Sequence, residues 1–373
     1  MRIVHVSHAW EGGGSGLYAA ALADAQQRLG HDVSRFGPVR RRERGFRASW
    51  SSPEVELAFA DAARGAEIVH IHHLSGLSLD LPRMAREAGA GVFVTLHDYW
   101  LACARGQLVD AGGERCPGPD IDRCARCLAP HLWAPLPAST HLPLRRAPVA
   151  DRLNAWSLMR EQVDTFLAPS LHVGKRLIVD AVSCPLPLLH PIRPAATAAP
   201  GPIRFLFAGA LIPTKGPHVV LEAFAALPAG AGTLRLLGPA PPYDGRRDYA
   251  ERLAHRVAEL PGASLEPAAP HPAMEAILHE ADVLLVPSLW EENAPLVVIE
   301  ALAAGLRVVA SDLGGISEIA PTATLVEPGT ARAWRSAMAA EIRRGRGRNS
   351  PILRDDMPTH AARLLALYAR RRT

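Results

Sequence analysis

Two glutamates at the start of a predicted helix are the residues of this sequence best suited to chemistry. The segment PSLWEENAPLVVIEALAAG, residues 287–305, follows a buried apolar strand at Val283–Val286. Glu292 precedes the predicted helix and Glu300 lies inside it. Free N–H groups at a helix N-terminus attract an anion, but Glu292 would repel a phosphate there unless it contacts hydroxyl groups instead. Since an anion flanked by two polyols is a nucleotide sugar, the segment predicts a site for one.

The ends of this helix are predicted from residues with restricted backbone preferences. Pro295 belongs in the first turn, where its missing N–H costs nothing, and Asn293 or Ala294 then occupies the cap. Gly305 is expected to end the helix at its C-terminus.

Lysine is rare in this chain, whose basic residues are mostly arginine; Lys175 and Lys215 are its lysines. Lys215 ends the loop AGALIPTK, which follows a predicted strand at Ile203–Ala208. A lysine there can balance the charge that develops as a diphosphate leaves. A plain surface lysine near a turn is the alternative interpretation.

Two predicted strands of the N-terminal half are also followed by candidate residues. His97 follows Val92–Leu96 and is predicted to contact a sugar, with a buried structural histidine as the alternative. Gly13 and Gly14 belong to GGGSG after the first strand, where the absence of side chains lets a ligand approach the backbone. The spacing does not fit G-x-G-x-x-G well, so a tight strand-to-helix turn is equally compatible. The remaining histidines of these strands are assigned to packing or surface: His5, His8, His70, His72 and His73.

Four of the five cysteines fall in one loop: Cys103, Cys116, Cys124 and Cys127. In a reducing compartment such a cluster favours a structural zinc ion over disulfides, although the spacings match no common zinc finger. Four thiolates leave no open position, so this zinc would not be catalytic. Because no Asp-x-Asp pair lies at a predicted strand end to hold a divalent ion, we expect no cofactor to be required for catalysis.

Composition narrows the class of protein. The 373 residues are 48% hydrophobic and contain no unbroken apolar run of membrane-spanning length. The N-terminus MRIVHVSHAW lacks a signal-peptide layout, so we expect a cytoplasmic protein. The net charge of +4 is mild, and no nucleic-acid partner is predicted. Arginines crowd residues 40–47 and 343–348. They form either solvated surface or a contact with an anionic membrane face or a phosphorylated acceptor.

Predicted strands and helices alternate along the chain, which indicates parallel sheets covered on both faces. A segment rich in proline and alanine at 184–202 separates two such series. We therefore predict an α/β protein with two Rossmann-like domains that face each other across a cleft. The acceptor-binding domain spans 1–192 with a cysteine-rich loop at 103–127, and the donor-binding domain spans 193–349. A C-terminal helix in 350–373 is free to cross back to the first domain.

These motifs together resemble retaining glycosyltransferases of the GT-B type, family GT4, also called glycosyltransferase group 1. The most specific part of the resemblance is Lys215-Gly216, then Gly238-Pro239, then the Glu292 and Glu300 pair. The resemblance covers most of the chain. Its weaker N-terminal part consists of these segments: the glycine turn, Gly30-His31-Asp32-Val33, Leu96-His97-Asp98-Tyr99-Trp100 with the cysteine loop, and Ala168-Pro169-Ser170.

The resemblance implies a bacterial, hexosyltransferase-like enzyme (EC 2.4) of carbohydrate biosynthesis. It would transfer a sugar from a UDP- or GDP-linked donor to a hydroxyl of a glycan, lipid-linked or natural-product acceptor, as a cytoplasmic or peripherally membrane-bound protein. It implies catalytic roles for His97, Lys215 and Glu292. The implied donor contacts are Gly13, Gly14, Lys215, Gly238, Asn293, Ala294, Leu296 and Glu300. Retention is ascribed to front-face attack, in which the leaving phosphate oxygen takes the acceptor's proton, in keeping with the lack of an obvious carboxylate base.

One departure from the family pattern is Ala210, where an arginine usually supplies a second cation to the diphosphate. Arg105 or the arginines at 40–47 are candidate substitutes. Without one, the alternative is a weak or inactive nucleotide-sugar-binding protein. A sugar-nucleotide epimerase is a further alternative, but it needs an additional carboxylate base that the sequence does not reveal. The sequence does not identify the donor base, the sugar or the acceptor. Recognition of the acceptor is assigned to residues 38–52 and 103–147.

Overall fold

A computed structural model describes residues 1–37, 53–132, 142–196, 200–244 and 246–370. The chain divides into two units, Met1–Leu189 with Asp355–Thr373, and His190–Arg354. The arginines at 40–47 and the predicted acceptor segment 38–52 lie outside the described residues, as does part of 103–147.

The first unit is built on parallel strands. The strands are β1 (Arg2–Val6), β2 (Asp32–Phe36), β3 (Ile68–Ile71), β4 (Gly91–Thr95), β5 (Thr165–Ala168) and β6 (Ala181–Ser183). Among the described residues they form one six-stranded sheet in the order β2-β1-β3-β4-β5-β6. The helices are α1 (Gly14–Arg28), α2 (Pro53–Ala63), α3 (Leu81–Glu87), α4 (Ile121–Leu132), α5 (Leu142–Gln162) and α6 (Leu171–Leu177). Every residue of β3 and β5 is buried, as expected for strands of a parallel sheet that helices cover on both faces.

The second unit repeats this architecture. Its strands are β7 (Ile203–Ala208), β8 (Gly232–Leu237), β9 (Ala263–Glu266), β10 (Val283–Val286), β11 (Arg307–Ser311) and β12 (Thr324–Val326). In the described part of the chain they form a six-stranded parallel sheet in the order β12-β11-β10-β7-β8-β9. Its α-helices are α7 (Pro217–Ala225), α8 (Asp248–Ala258), α9 (Met274–Glu280), α10 (Leu296–Ala303), α11 (Ile316–Ile319) and α12 (Ala331–Arg344). The order reverses between β10 and β7, and this switch point is where doubly wound sheets bind ligands.

The last helix, α13 (Met357–Arg370), belongs to the first unit. Two of its buried side chains make hydrogen bonds there. His360 Nε2 lies 2.7 Å from the hydroxyl of Tyr18 on α1, and the Tyr368 hydroxyl lies 2.6 Å from His70 Nδ1 on β3. The C-terminal segment therefore completes the interior of the first unit.

The predicted fold class is confirmed, with two Rossmann-like parallel sheets. The glycine turn that was predicted after the first strand enters α1 itself, because the helix begins at Gly14. The short edge strands β6 and β12 were not predicted, since three-residue strands carry too little apolar pattern to stand out.

The arginines at 343–348 are largely occupied inside the second unit. Arg346 Nε donates to Asp282 Oδ2 at 3.0 Å, Arg348 donates to the His279 carbonyl at 3.0 Å, and Arg344 donates to Asn349 at 3.3 Å. These contacts favour a structural role for the segment. No helix in the described residues combines the length and apolarity needed to cross a bilayer.

Candidate functional site

Glu292 lies in the loop between β10 and α10 and is almost fully buried, with 2% of its surface exposed. Its Oε1 atom accepts hydrogen bonds from Lys215 Nζ at 2.6 Å, Ser288 Oγ at 2.6 Å and Trp290 Nε1 at 2.9 Å. Lys215 Nζ also lies 5.0 Å from the centroid of the Trp290 ring. The lysine thus neutralises the buried carboxylate, and two neutral donors fix its orientation.

The Lys215 loop is held against the Glu292 loop through the backbone. Lys215 ends a 3₁₀ turn at Pro213–Lys215 after β7, and Leu289 N donates to the Thr214 carbonyl at 2.8 Å. Gly216 follows with φ +70°, and a Cβ there would lie 2.0 Å from the Pro287 carbonyl oxygen. Only glycine permits this approach. The two charges, 77 residues apart in the chain, therefore meet because their backbones touch.

A second glycine supports the Glu292 loop from another direction. Gly314 follows β11 with φ +68°, and a Cβ there would lie 2.1 Å from the Glu292 carbonyl oxygen. Gly315 N donates a hydrogen bond of 2.6 Å to that oxygen. These positioning residues were not predicted from the sequence, although the pair Gly314-Gly315 shortly after an apolar strand is a recognisable turn signal.

The start of α10 differs from the prediction in one detail. Pro295 is itself the N-cap, with an extended backbone at φ −65° and ψ 126°, so the prediction of Asn293 or Ala294 at the cap was wrong. Proline's fixed φ suits this extended residue, and its carbonyl accepts from Val298 N at 3.0 Å. Leu296 is the first helical residue, and the leading N–H groups of any helix have no helical partner. Gly305 follows the helix with φ +77°, as predicted.

Glu300 lies on α10 with 3% of its surface exposed. Its Oε1 is 2.7 Å from His271 Nε2, and the ring of His190 packs edge-on against that of His271, with centroids 4.5 Å apart. Gly238 follows β8, and its N–H donates to the Glu266 carbonyl at 3.2 Å. Like Glu292, the residues Gly238, His271 and Glu300 lie in loops or helices that follow strands of the second sheet, whereas His190 precedes β7.

Ala210 lies in the loop after β7, where Leu211 N donates to the Pro239 carbonyl at 2.8 Å. Of the predicted substitute cations, Arg105 belongs to the first unit and donates to the Val109 carbonyl at 3.0 Å within the cysteine loop. The arginines at 40–47 lie outside the described residues.

In the first unit, the glycine turn forms the start of α1. Gly13 is its N-cap with φ +69°, and Gly14 is its first residue. A Cβ at Gly13 would meet nothing within 4 Å, so the backbone there is open to a ligand.

His97 follows β4 at the edge of a network of buried histidines. His97 Nε2 lies 3.4 Å from His72 Nδ1, and His72 Nε2 lies 2.9 Å from His5 Nδ1. His5 Nε2 lies 2.9 Å from Gln26 Oε1. His70 is hydrogen-bonded at both ring nitrogens, to Thr95 at 2.7 Å and to Tyr368 at 2.6 Å. His5, His70 and His72 are thus partnered core residues, in line with their assignment to packing.

Burial keeps these imidazoles neutral. It lowers the pKa of His5, His97 and His360 to about 4, and it lowers the pKa of His70 and His72 well below the ordinary value of 6.5. Neighbouring histidines lower the pKa of His70 and His72 further, because a second positive charge in the cluster is unfavourable.

The four loop cysteines are half-buried free thiols. Burial raises the pKa of the Cys127 thiol to about 11 and raises that of Cys124, which is also raised by Cys103 and Cys116 nearby. Among the described residues, two groups have potential metal-binding atoms all within 4.8 Å of one another, and neither contains a cysteine. The cysteine zinc site stays a prediction.

Residues 202–343, most of the second unit, match the family model described as Glycosyl transferases group 1. The chain carries a group 1 glycosyl transferase domain. That domain contains Lys215, Glu292 and the two supporting glycines, so the predicted resemblance to glycosyltransferase group 1 is confirmed for this part of the chain, where its motifs are most specific.

Solved structures identify the fold as GT-B. HepE of Anabaena, solved in complex with UDP and glucose, shares 13% identity and a TM-score of 0.66, with 99% of each chain covered. The sucrose-phosphate synthase of Thermosynechococcus elongatus shares 18% identity and a TM-score of 0.63, over 98% of this chain and 94% of its own.

Curated relatives are more similar in sequence but over shorter spans. The lipopolysaccharide 1,2-N-acetylglucosaminetransferase of Salmonella typhimurium is 34% identical over 30% of this chain and 31% of its own length. A D-inositol 3-phosphate glycosyltransferase of Thermobispora bispora is 31% identical over 51% of this chain and 47% of its own. The chain thus spans less than half the length of these relatives.

The histidine network predicts a steep loss of stability in acid. The unfolded histidines titrate near the ordinary pKa of 6.5 and the folded ones at about 4 or below, so the unfolded state binds more protons between these values. The part of the unfolding free energy that depends on neutral histidines should be fully present above pH 6.5. It should be lost as the pH falls toward 4. His360→Gln should reduce the slope of unfolding free energy against pH by about 1.4 kcal/mol per pH unit near pH 5.

Urea unfolding between pH 5 and 7.5 measures this slope. His255→Gln is the matched control, because His255 is exposed on α8 and should leave the slope unchanged. Equal slopes for wild type and His360→Gln would contradict the assignment.

Proposed function

We propose that this protein is a retaining glycosyltransferase of family GT4, which transfers a sugar from a nucleoside diphosphate sugar to a hydroxyl group. The observation that carries the proposal is the Lys215–Glu292 pair. It is held at the carboxyl end of a parallel sheet, beside the N-terminus of α10, within a group 1 glycosyl transferase domain.

The donor's diphosphate would be bound by groups of the second unit. The N–H groups of Ala294 and Leu296 at the start of α10 supply partial positive charge, and Lys215 supplies a full one. An ammonium group has three donors, so Lys215 can keep its bond to Glu292 and still reach a phosphate oxygen. The cation stabilises the charge that builds on the departing diphosphate.

The polyol parts of the donor would meet carboxylates. Glu292 accepts hydrogen bonds from the sugar hydroxyls, and Glu300 accepts them from the ribose. Gly238 and Asn293 are further proposed donor contacts in this unit. UDP-glucose is the first donor to test, because HepE was solved with UDP and glucose.

His97, Gly13 and Gly14 of the first unit are proposed donor contacts as well. With its pKa lowered to about 4 by burial, His97 is neutral near pH 7. It would therefore hydrogen-bond a sugar hydroxyl and would not act as a charged acid.

The chemical step then needs no protein carboxylate as a base. The acceptor oxygen bonds to the anomeric carbon on the face from which the diphosphate departs, and the departing phosphate oxygen takes the acceptor's proton. Attack and departure on the same face retain the anomeric configuration. The buried, paired state of Glu292 agrees with a binding role, because its Oε1 atom already accepts three hydrogen bonds.

A nucleotide-sugar-binding protein without turnover is the second candidate, and Ala210 favours it. Loss of a charge-assisted contact in a desolvated site costs about 2–3 kcal/mol. A transferase should release free nucleotide from UDP-glucose, UDP-N-acetylglucosamine or GDP-sugars slowly, and faster when an acceptor is added. Donor binding without release would favour the second candidate. Conversion of the donor sugar into its epimer would indicate an epimerase.

Separating the two charges of the central pair should abolish most turnover. Lys215→Ala and Glu292→Gln should each lower kcat/KM for the donor by roughly 30- to 100-fold, because each removes a charged contact to the reacting diphosphate or sugar. Lys215→Ala should also lower the unfolding free energy, since it leaves a buried carboxylate unpaired.

The double variant separates function from stability. Lys215→Ala with Glu292→Gln removes both charges, so it should recover much of the lost stability but none of the lost turnover. Recovery of turnover together with stability would mean that the pair is merely structural. Lys175→Ala and Glu259→Gln change exposed residues and serve as charge-matched controls.

We further propose a structural zinc ion bound by Cys103, Cys116, Cys124 and Cys127. Cys103 and Cys116 raise the pKa of Cys124, and Cys103 and Cys124 raise the pKa of Cys127, which supports the proximity of the four thiols. Cys124 also packs on a small apolar cluster of Ala125, Leu128 and Val149. Four thiolates would saturate a tetrahedral zinc ion and close the loop around it.

Zinc content and melting temperature test this site. The double variant Cys124→Ser and Cys127→Ser should contain one zinc ion fewer per chain than wild type and should melt at a lower temperature, because metal binding contributes to folding. Cys184→Ser, outside the loop, should match wild type in zinc content. Native protein without thiolate-bound zinc would end this proposal.

Peripheral membrane contact stays a prediction without support from the described arginines.

A further inference from the structure

His190, His271 and Glu300 form a cluster in the second unit, and none of the roles above involves its two histidines. His271 begins the 3₁₀ turn His271–Ala273 before α9, and Glu300 lies on α10. One potential ligand atom from each of the three residues lies within 4.8 Å of the others. His271 Nε2 and Glu300 Oε1 are 2.7 Å apart.

Four polar atoms of this cluster are buried and lack hydrogen-bond partners. Both ring nitrogens of His190, Nε2 of His271 and Oε1 of Glu300 are of this kind. The Glu300 side chain is only 4% exposed. Buried polar atoms are nearly always satisfied in native proteins, so a group of unsatisfied ones in one place indicates a missing ligand.

A plain ion pair does not account for the contact between His271 and Glu300. An imidazolium at 2.7 Å would donate a hydrogen bond to the carboxylate, yet neither atom has one. The carboxylate oxygen and the ring nitrogen are therefore available to a cation, whose binding would move them to the roughly 3.3 Å that separates two ligands of a tetrahedral zinc ion. The third residue, His190, places another unpartnered nitrogen in the same group.

We propose that His190, His271 and Glu300 bind a divalent transition-metal ion, with zinc as the preferred occupant. Two neutral imidazoles and one carboxylate suit zinc and its first-row neighbours, whereas magnesium and calcium prefer oxygen ligands alone. Three protein ligands leave a fourth position of a tetrahedral ion for water or for an oxygen of a bound molecule.

The first unit provides an instructive contrast. His5, His70 and His72 also bring their ring nitrogens within 4.8 Å of one another. Their nitrogens, however, are engaged in hydrogen bonds with one another and with Gln26, Thr95 and Tyr368. A metal ion there would have to displace these bonds, so the same spacing carries no metal site.

The metal site does not depend on the proposed glycosyltransferase activity, although it shares Glu300 with the proposed ribose contact. Its test therefore measures metal binding without any donor. The protein used is the full chain with Cys103, Cys116, Cys124 and Cys127 all changed to serine, so that the loop thiols do not compete. It is stripped with a chelator and titrated with Zn²⁺ by calorimetry and with Co²⁺ by absorption spectroscopy.

We expect one ion per chain and a Co²⁺ spectrum with ligand-field bands but no thiolate charge-transfer band. His190→Ala and His271→Ala should each weaken Zn²⁺ affinity by more than the roughly 10- to 100-fold that loss of an outer-shell partner costs. His255→Ala, an exposed histidine of the same unit, should bind like the parent protein. Melting temperatures in chelator show whether each variant is folded.

If the folded cysteine-to-serine protein, with all its histidines in place, does not bind one Zn²⁺ ion, the proposal is overturned. Unchanged affinity in both histidine variants would overturn it as well. Nucleotide release is assayed separately with and without chelator. Zinc binding without nucleotide release would support the metal site and count against the transferase. Nucleotide release without zinc binding would support the transferase and overturn the metal site.

Discussion

A carboxylate buried beside a helix N-terminus must be neutralised, and the second unit is arranged around that requirement at Glu292. One oxygen receives a lysine, a hydroxyl and an indole N–H, so the charge is both balanced and fixed in direction. This arrangement depends on backbone contact. Gly216 and Gly314 let two neighbouring loops approach the Glu292 loop to distances that no other residue permits. The chemistry of the site is therefore determined by the absence of two side chains as much as by the presence of three.

The sequence was sufficient for the fold class and for selecting Lys215 and Glu292 as candidate site residues, for physical reasons. Long apolar strands such as β7 and β10 and the rarity of lysine made Ile203–Ala208, Val283–Val286 and Lys215 recognisable without coordinates. Three-residue edge strands were not predictable, because three residues are too few to show the alternation of apolar and polar side chains that marks a strand. The bond between Lys215 and Glu292 was not predictable either. Each residue was expected to face the donor, and their direct contact arises from sheet order, in which β7 and β10 are neighbours although far apart in the chain.

Histidine illustrates the same limit from another side. Composition shows many histidines near strand ends but cannot tell a packed imidazole from a ligand. The distinction lies in partners: the histidines around β1 and β3 form a closed hydrogen-bonded network, whereas His190 and His271 have buried nitrogens with none. Satisfaction of hydrogen bonds is a property of three-dimensional neighbours, which sequence spacing does not report. A histidine cluster whose ring nitrogens are hydrogen-bonded stabilises a neutral core. A cluster whose buried nitrogens have no partner indicates a ligand site.

The charge balance of a diphosphate links these features. Because Lys215 is already paired with Glu292, the two together contribute no net charge, and Ala210 supplies none. The dipole of α10 alone offers about half an elementary charge at its N-terminus. Glu300 lies four residues into that helix, about 6 Å along its axis from Leu296. A divalent ion at Glu300 would add positive charge within Coulombic reach of a diphosphate at the helix N-terminus, while the second carboxylate oxygen could still accept a ribose hydroxyl.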